Sequence, residues 1–152
     1  MRLTAFTDYT LRTLIYLAGQ NDRLVTIAEI AALHGMSRNH LNKVVHQLGL
    51  TGMIRTVRGR HGGIMLARAP QDIRIGHVVR ASEPDFFMAD CFDPVRGTCR
   101  NAGRCGVQVA LAGAVHAYLA ALDMVTLAEA AGTGGVGASA GQPPPACAAV
   151  PA

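Results

Sequence analysis

The sequence has no tryptophan, and aromatic residues make up 5% of it, so the core is expected to be built from aliphatic side chains. Charge is sparse too, at 16% of residues against 50% hydrophobic, which excludes a fully disordered chain. Acidic residues are missing altogether between Glu29 and Asp72, a window that holds Arg38, Lys43, Arg55, Arg58, Arg60 and Arg68. The formal net charge of +4 can be attributed to that block, which calls for a polyanionic partner or a reason to lack one. No nucleophile–base pair, paired carboxylates or phosphate-cradling glycine loop is present, so an enzyme is not expected. Arg2, Asp8 and Arg12 interrupt any apolar run at the start, which argues against a signal peptide and makes the cytoplasm the expected compartment. The 17 residues 106–122 carry no formal charge, but they are Ala-rich and include Gln108 and His116. They are expected to form a buried helix of a soluble protein rather than a membrane span.

With 152 residues, the chain is expected to fold as one domain with an appendage. Leu11, Leu14, Ile15 and Ala18 share a helical face and predict a first helix over 4–19. Thr26 and Glu29 fit a capping box that opens a second helix, stopping at His34-Gly35. Ser37 is a good N-cap for a third, whose apolar stripe is Leu41, Val44, Val45 and Leu48. The period then changes. Short β-prone runs at 54–57 and 64–67 flank Arg58-Gly59-Arg60-His61-Gly62-Gly63 and predict a hairpin. A short helix is expected over 73–81, a loop over 82–103, and a long helix over 104–122 with Leu111, Val115, Tyr118, Leu119 and Leu122 on one side. Thr126 and Glu129 repeat the capping-box pattern. From Gly132 the chain is uncharged and rich in Gly, Ala and Pro, so 132–152 is expected to be a disordered tail. The predicted fold class is mainly α with a small β-hairpin wing, residues 1–131 forming the folded unit.

The second and third helices, at about 27–50, have the layout of a helix-turn-helix, with the hairpin at 54–67 as its wing. Ala31 is small enough for close helix approach, Gly35 suits a left-handed turn, and Leu41 points to the core. At about 100° per residue, Asn39, Asn42, Lys43 and His46 gather opposite the apolar stripe of the third helix. Amide and cationic donors without a carboxylate are the chemistry that reads purine edges in a major groove. Arg38 is placed to reach a base or phosphate, and Arg58 and Arg60 on the wing a phosphate or a narrow minor groove. Taken alone, the third helix reads as an ordinary amphipathic surface helix and the hairpin as a solvated turn. The two in sequence within an acid-free window favour DNA binding.

Cys91, Cys99 and Cys105 lie in a loop at about 82–105, separated by seven and five residues, with Cys147 apart in the tail. A disulfide leaves one of three unpaired and suits a different compartment. Zinc prefers at least one tight knuckle of two to four intervening residues, which is absent. Three thiolates on a wide loop plus a ligand from elsewhere suit an iron–sulfur cluster. Arg96, Arg100 and Arg104, interleaved with the cysteines, favour thiolates and offset the cluster's charge.

The opening Met1-Arg-Leu-Thr-Ala-Phe-Thr-Asp-Tyr-Thr-Leu-Arg closely resembles a family of winged-helix iron–sulfur regulators that includes nitric-oxide-sensing repressors and IscR. So do Met36-Ser-Arg-Asn-His-Leu, Val57-Arg-Gly-Arg-His-Gly-Gly-Ile and Ile73-Arg-Ile-Gly-His-Val-Val-Arg. The resemblance covers residues 1 to about 131. It implies a homodimer joined by the long helices, and a cluster held near the interface by Cys91, Cys99 and Cys105. It further implies operator release when nitric oxide attacks the iron. The seven-residue cysteine gap is longer than the family's, and Gln108 stands where IscR-like proteins have a histidine. The fourth ligand is therefore open, with Asp8 from the other subunit nominated over Asp90, Asp93 and His116; a first-turn carboxylate also suits the helix dipole alone. Whether the cluster, one per subunit, is [2Fe-2S] or [4Fe-4S] is also open. Two other readings stand beside this one: an iron–sulfur electron-transfer protein, and a non-sensing, metal-stabilised DNA-binding protein.

Overall fold

The computed structural model describes residues 2–20 and 23–132. The expected tail from 133 onward, with Cys147, lies outside the described residues. The chain forms α1 (Ala5–Ala18), α2 (Ile27–His34), α3 (Arg38–Leu50), β1 (Ile54–Val57), β2 (Gly63–Leu66), α4 (Ile75–Ser82), α5 (Gly106–Met124) and α6 (Leu127–Ala130).

Local chemistry sets most of these boundaries. Thr4 caps α1 by accepting from the Thr7 amide, and Thr26 caps α2 by accepting from Glu29 N–H. Gly35 ends α2 in the left-handed region at φ 63°, a conformation that costs a residue with a Cβ. Thr126 and Glu129 form the complete capping box expected at α6. The Thr26–Glu29 box is half made. Glu29 turns its carboxylate away from the cap to accept from the Tyr16 hydroxyl at 2.6 Å and the Arg23 guanidinium at 2.6 Å. Those charge-assisted bonds hold Glu29 down at about 2, the Arg23 bond first and the Tyr16 bond next. Ser37 occupies the N-cap of α3 without a side-chain hydrogen bond.

The core is aliphatic, as the scarcity of aromatics requires. Leu14, Val25, Ile30, Leu41, Val44, Ile64, Val79 and Leu127 are at most 1% exposed, and they tie α1, α2, α3, the hairpin, α4 and α6 together. Burying each such side chain stabilises the fold by about 1.5–3 kcal/mol before chain entropy is counted. The inner face of α1 differs from the expected one. Ile15 is exposed, while Thr7, Thr10 and Thr13 are buried. The hydroxyls of Thr10 and Thr13 donate to the carbonyls of Phe6 and Tyr9 one turn back, so each polar group enters the core already satisfied.

The two strands pair antiparallel from Ile54 opposite Leu66 to Val57 opposite Gly63. The hairpin is anchored by Val25, whose N–H donates to Ile64 O at 2.9 Å and whose carbonyl accepts from Ile64 N–H at 2.8 Å.

The long helix departs most from expectation. No residue of α5 is buried. Core contact reaches it at Leu119 and Leu122, whereas Val107 and Val109 are 65% and 73% exposed. Its attachment lies at its far end. The Arg80 guanidinium meets both oxygens of the Asp123 carboxylate, Ile75 N–H donates to Val125 O, and Arg74 Nη1 donates to Met124 O. By length and composition α5 is apolar enough to cross a membrane, a criterion that the core helix of a soluble protein also meets.

Candidate nucleic-acid interface and cysteine loop

The apolar stripe of α3 fixes its orientation. Leu41, Val44, Val45 and Leu48 are all buried, which turns Arg38, Asn39, Asn42, Lys43 and His46 outward, and all five are exposed. The first turn of α3 holds no acidic residue, so nothing competes with an incoming anion there. Arg58 and Arg60 are exposed at the hairpin tip. Among the described residues the ion pairs are Arg12–Asp8, Arg23–Glu29 and Arg80–Asp123. None of them neutralises a cation of the acid-free window. α3 and the wing therefore present positive charge together with amide donors, the combination that phosphates and base edges take.

The N-terminal helix touches this surface. Tyr9 of α1 lies with its ring centroid 6.1 Å from that of His40 on α3. Ala5, Phe6, Tyr9, His40 and Lys43 together line a groove of about 220 Å³. Asp8, one residue earlier, is partly exposed and accepts from Arg12 Nε at 3.0 Å. Further back, the Thr4 N–H donates to Glu83 Oε1 at 2.8 Å, which ties the start of α1 to the residue following α4.

The three cysteines are free thiols. Cys91 sits in a 3₁₀ turn at Asp90–Phe92 and Cys105 at the N-cap of α5, both half-buried, and Cys99 is exposed between them. The loop between the first two is closed by residues that precede each. Asp90 Oδ2 accepts from the Thr98 N–H at 2.8 Å and the Thr98 hydroxyl at 2.9 Å. The two bonds hold the Asp90 carboxyl below its ordinary range, the backbone bond contributing most. Asp93 Oδ1 accepts from the Val95 and Arg96 amides. Gln108 reaches back from α5, accepting from Gly103 N–H at 2.7 Å and donating to Cys91 O at 3.1 Å.

Among the described residues, no three His, Cys, Asp or Glu side chains converge on a single-ion site. Within one chain the structure therefore gathers neither Cys91, Cys99 and Cys105 around a single point nor Asp8 with them. It also commits Asp90 and Asp93, the competing carboxylates, to loop amides, and leaves His116 exposed on α5. Soft, unpaired thiols on one hydrogen-bonded loop fit the donor chemistry of an iron–sulfur cluster, which asks for thiolates spread wider than those around one ion. Sequence reasoning missed the Asp90–Thr98 closure, the Gln108 bridge and the Thr4–Glu83 bond. These depend on contacts between residues 8, 17 and 79 positions apart, for which no local pattern stands.

Residues 3–132 match the model of the Rrf2 family, described as an iron-dependent transcriptional regulator. A regulator from Bacillus subtilis named HTH-type transcriptional regulator NsrR is 46% identical over 85% of this chain and 89% of its own length. One of the same name from Bacillus licheniformis is 45% identical over 85% and 91%. The solved structure of T. potens IscR superposes with a TM-score of 0.69 at 23% identity, covering 86% of this chain and 85% of that one.

Proposed function

Since this chain belongs to the Rrf2 family of transcriptional regulators, we propose that it is a cytoplasmic, homodimeric DNA-binding repressor that senses nitric oxide through an iron–sulfur cluster. The observation that carries the reading is the outward face of α3, with Asn39, Asn42, Lys43 and His46 exposed and no carboxylate among them. Asn39, Asn42, Lys43 and His46 contact base edges in the major groove, Arg38 a base or phosphate, and Arg58 and Arg60 the backbone beside the wing. The uncovered faces of α5 meet those of a second copy, which places two recognition helices on a two-fold symmetric site with half-sites about one helical turn apart.

Cys91, Cys99 and Cys105 would hold the cluster, with Asp8 of the opposite subunit as the fourth ligand. When bound, the cluster supplies iron on which nitric oxide can act. A carboxylate oxygen is more exchangeable than a thiolate, so Asp8 marks the weaker corner. Asp8 adjoins Tyr9, and Tyr9 packs against His40 of the recognition helix. A change in what Asp8 holds therefore reaches α3 through one ring contact, which gives the signal a physical route to the operator.

Anaerobic purification followed by iron, acid-labile sulfide and zinc assays tests the cluster. Comparable iron and sulfide are expected, with loss of colour in Cys91→Ser, Cys99→Ser and Cys105→Ser and its retention in Cys147→Ser. Asp8→Ala should alter the cluster spectrum and the nitric oxide response of operator binding. Stoichiometric zinc would overturn the sensor reading, and an unaltered Asp8→Ala would return that residue to its pairing with Arg12.

A further inference from the structure

We propose that Gln108 is the positioning residue of the cysteine loop, holding Cys91 and the approach to Cys105 in one frame before any metal arrives. The inference deepens the cluster reading and rests on it for its purpose, though not for its geometry.

Gln108 stands at the third position of α5, counted from its N-cap Cys105. A glutamine there ordinarily turns back to the amide of the N-cap itself, completing a capping box. Here its Oε1 passes over Cys105 and accepts from Gly103 N–H at 2.7 Å. The other end of the same carboxamide donates from Nε2 to the Cys91 carbonyl at 3.1 Å, across 17 residues. Gln108 is half-buried while its neighbours Val107 and Val109 are exposed, so the side chain lies in the loop and not in solvent. A carboxamide is suited to this task because it accepts at one atom and donates at the other. A carboxylate could keep the Gly103 bond but has no donor for Cys91 O.

The bridge complements the clasp on the other side of Cys91. Asp90 and Thr98 immediately precede Cys91 and Cys99, and their bonds keep those two cysteines in one turn of chain. Gln108 then links that turn to the segment leading into Cys105. Cys91 is the shared point. Three thiols that sequence spacing leaves far apart are tied by two independent sets of hydrogen bonds, neither using a thiol as donor or acceptor. The thiols stay available to iron, and the loop loses less conformational freedom on loading than an open one would.

The test uses the full-length protein as Gln108→Ala, Gln108→Glu and Asp90→Ala, each metal-free and anaerobically reconstituted with iron and sulfide. In the metal-free protein, Gln108→Ala should speed amide exchange at Gly103 about five- to tenfold, the effect of losing one net hydrogen bond. Alkylation of Cys91 and Cys105 by iodoacetamide should quicken with it. Gln108→Glu should restore protection at Gly103 without slowing alkylation of Cys91. Asp90→Ala, which removes the oxygen that accepts both Thr98 bonds, should instead loosen Thr98 and Cys99 and leave Gly103 protected. In reconstituted Gln108→Ala, the visible circular dichroism of the cluster should change and its loss to a chelator should quicken, with far-ultraviolet helix content unchanged. Unaltered Gly103 exchange and Cys91 alkylation in Gln108→Ala would overturn the proposal, as would a drop in helix content with an unaltered cluster spectrum. If wild-type protein takes up no iron, the cluster reading fails, and the metal-free measurements still decide the role of Gln108.

Discussion

Gly76 of α4 lies against Asp123 of α5 so closely that a Cβ on it would stand 2.9 Å from the Asp123 backbone nitrogen and 2.8 Å from its Cγ. The missing side chain lets the two helices approach, and Arg80, one turn further along α4, closes on the same carboxylate with both guanidinium nitrogens. The bidentate pair holds Asp123 below and Arg80 above their ordinary values, in each case mainly through the hydrogen bonds between them.

Replacing Gly76 by Ala should destabilise the protein by about 1–3 kcal/mol, because the Asp123 carboxylate, held by Arg80, and the Asp123 backbone nitrogen must both give way. Helix propensity alone argues the opposite sign, a gain of about 0.5–1 kcal/mol. Thermal unfolding of Gly76→Ala decides which effect wins, and a stabilised variant would show that α4 and α5 do not pack this way.

Asp123→Asn keeps the shape and removes the charge. Both partners are substantially exposed, so the loss in melting temperature should be smaller than that of Gly76→Ala and should shrink further at high salt. A salt-independent loss would mean that Asp123 acts through packing and not through Arg80.

Base readers and phosphate contacts should separate. Lys43→Ala or Asn39→Ala should cost roughly 1–3 kcal/mol against the specific operator if each makes a bidentate base contact, with little change on random DNA. Arg58→Ala or Arg60→Ala should weaken both and lower the slope of log affinity against log salt by about one. Equal losses on specific and random DNA in the α3 variants would remove the base-reading role.

Most of this surface was legible in the sequence because its determinants are local. The 3.6-residue stripe of α3, Gly35 after α2 and the glycine-rich hairpin each need only near neighbours to take shape. What was not legible depends on distant partners. Glu29 has the spacing of a capping box, yet Tyr16 and Arg23 offer it stronger, charge-assisted bonds than its own helix start does. Ile15 has the spacing of a core residue, yet the core takes Thr13 and Leu14 beside it, since a threonine bonded to its own helix packs as a small apolar group. α5 reads as a buried helix from composition, whereas among the described residues only its far end, at Leu119 and Leu122, packs against the core and none of its residues is buried.

Glu29 makes stability depend on pH in a defined window. Its carboxyl is held at about 2 in the folded chain against an ordinary 4.5, so the contribution is complete above the ordinary value and is lost as pH falls toward 2. Wild type should therefore exceed Glu29→Gln in melting temperature most at pH 6, and the two curves should converge as pH approaches 2. A constant gap across that range would place the effect of Glu29 in shape and not in charge.

Thr13→Val should cost no more than about 1 kcal/mol, because the Tyr9 carbonyl that loses the hydroxyl remains within the backbone ladder of α1. Thr13→Leu, which adds volume at a fully buried site, should cost about 1–3 kcal/mol. Chemical denaturation of the pair measures both, and a large loss in Thr13→Val would mean that the hydroxyl bond stabilises the helix more than its geometry indicates.

The fastening of α5 at its far end has a mechanical consequence. Between the cysteine loop and Asp123 run the 17 residues 106–122, about 26 Å of helix at 1.5 Å per residue. A helix of that length behaves as a rigid moment arm pivoting on Arg80, Gly76 and Asp123. A tilt of about 10° at the pivot sweeps its tip through about 4 Å, enough to break a hydrogen bond at that end. The same gearing runs in reverse, so a displacement of a few ångströms at the cysteines arrives at α4 as a small, stiff torque on the body that carries α3.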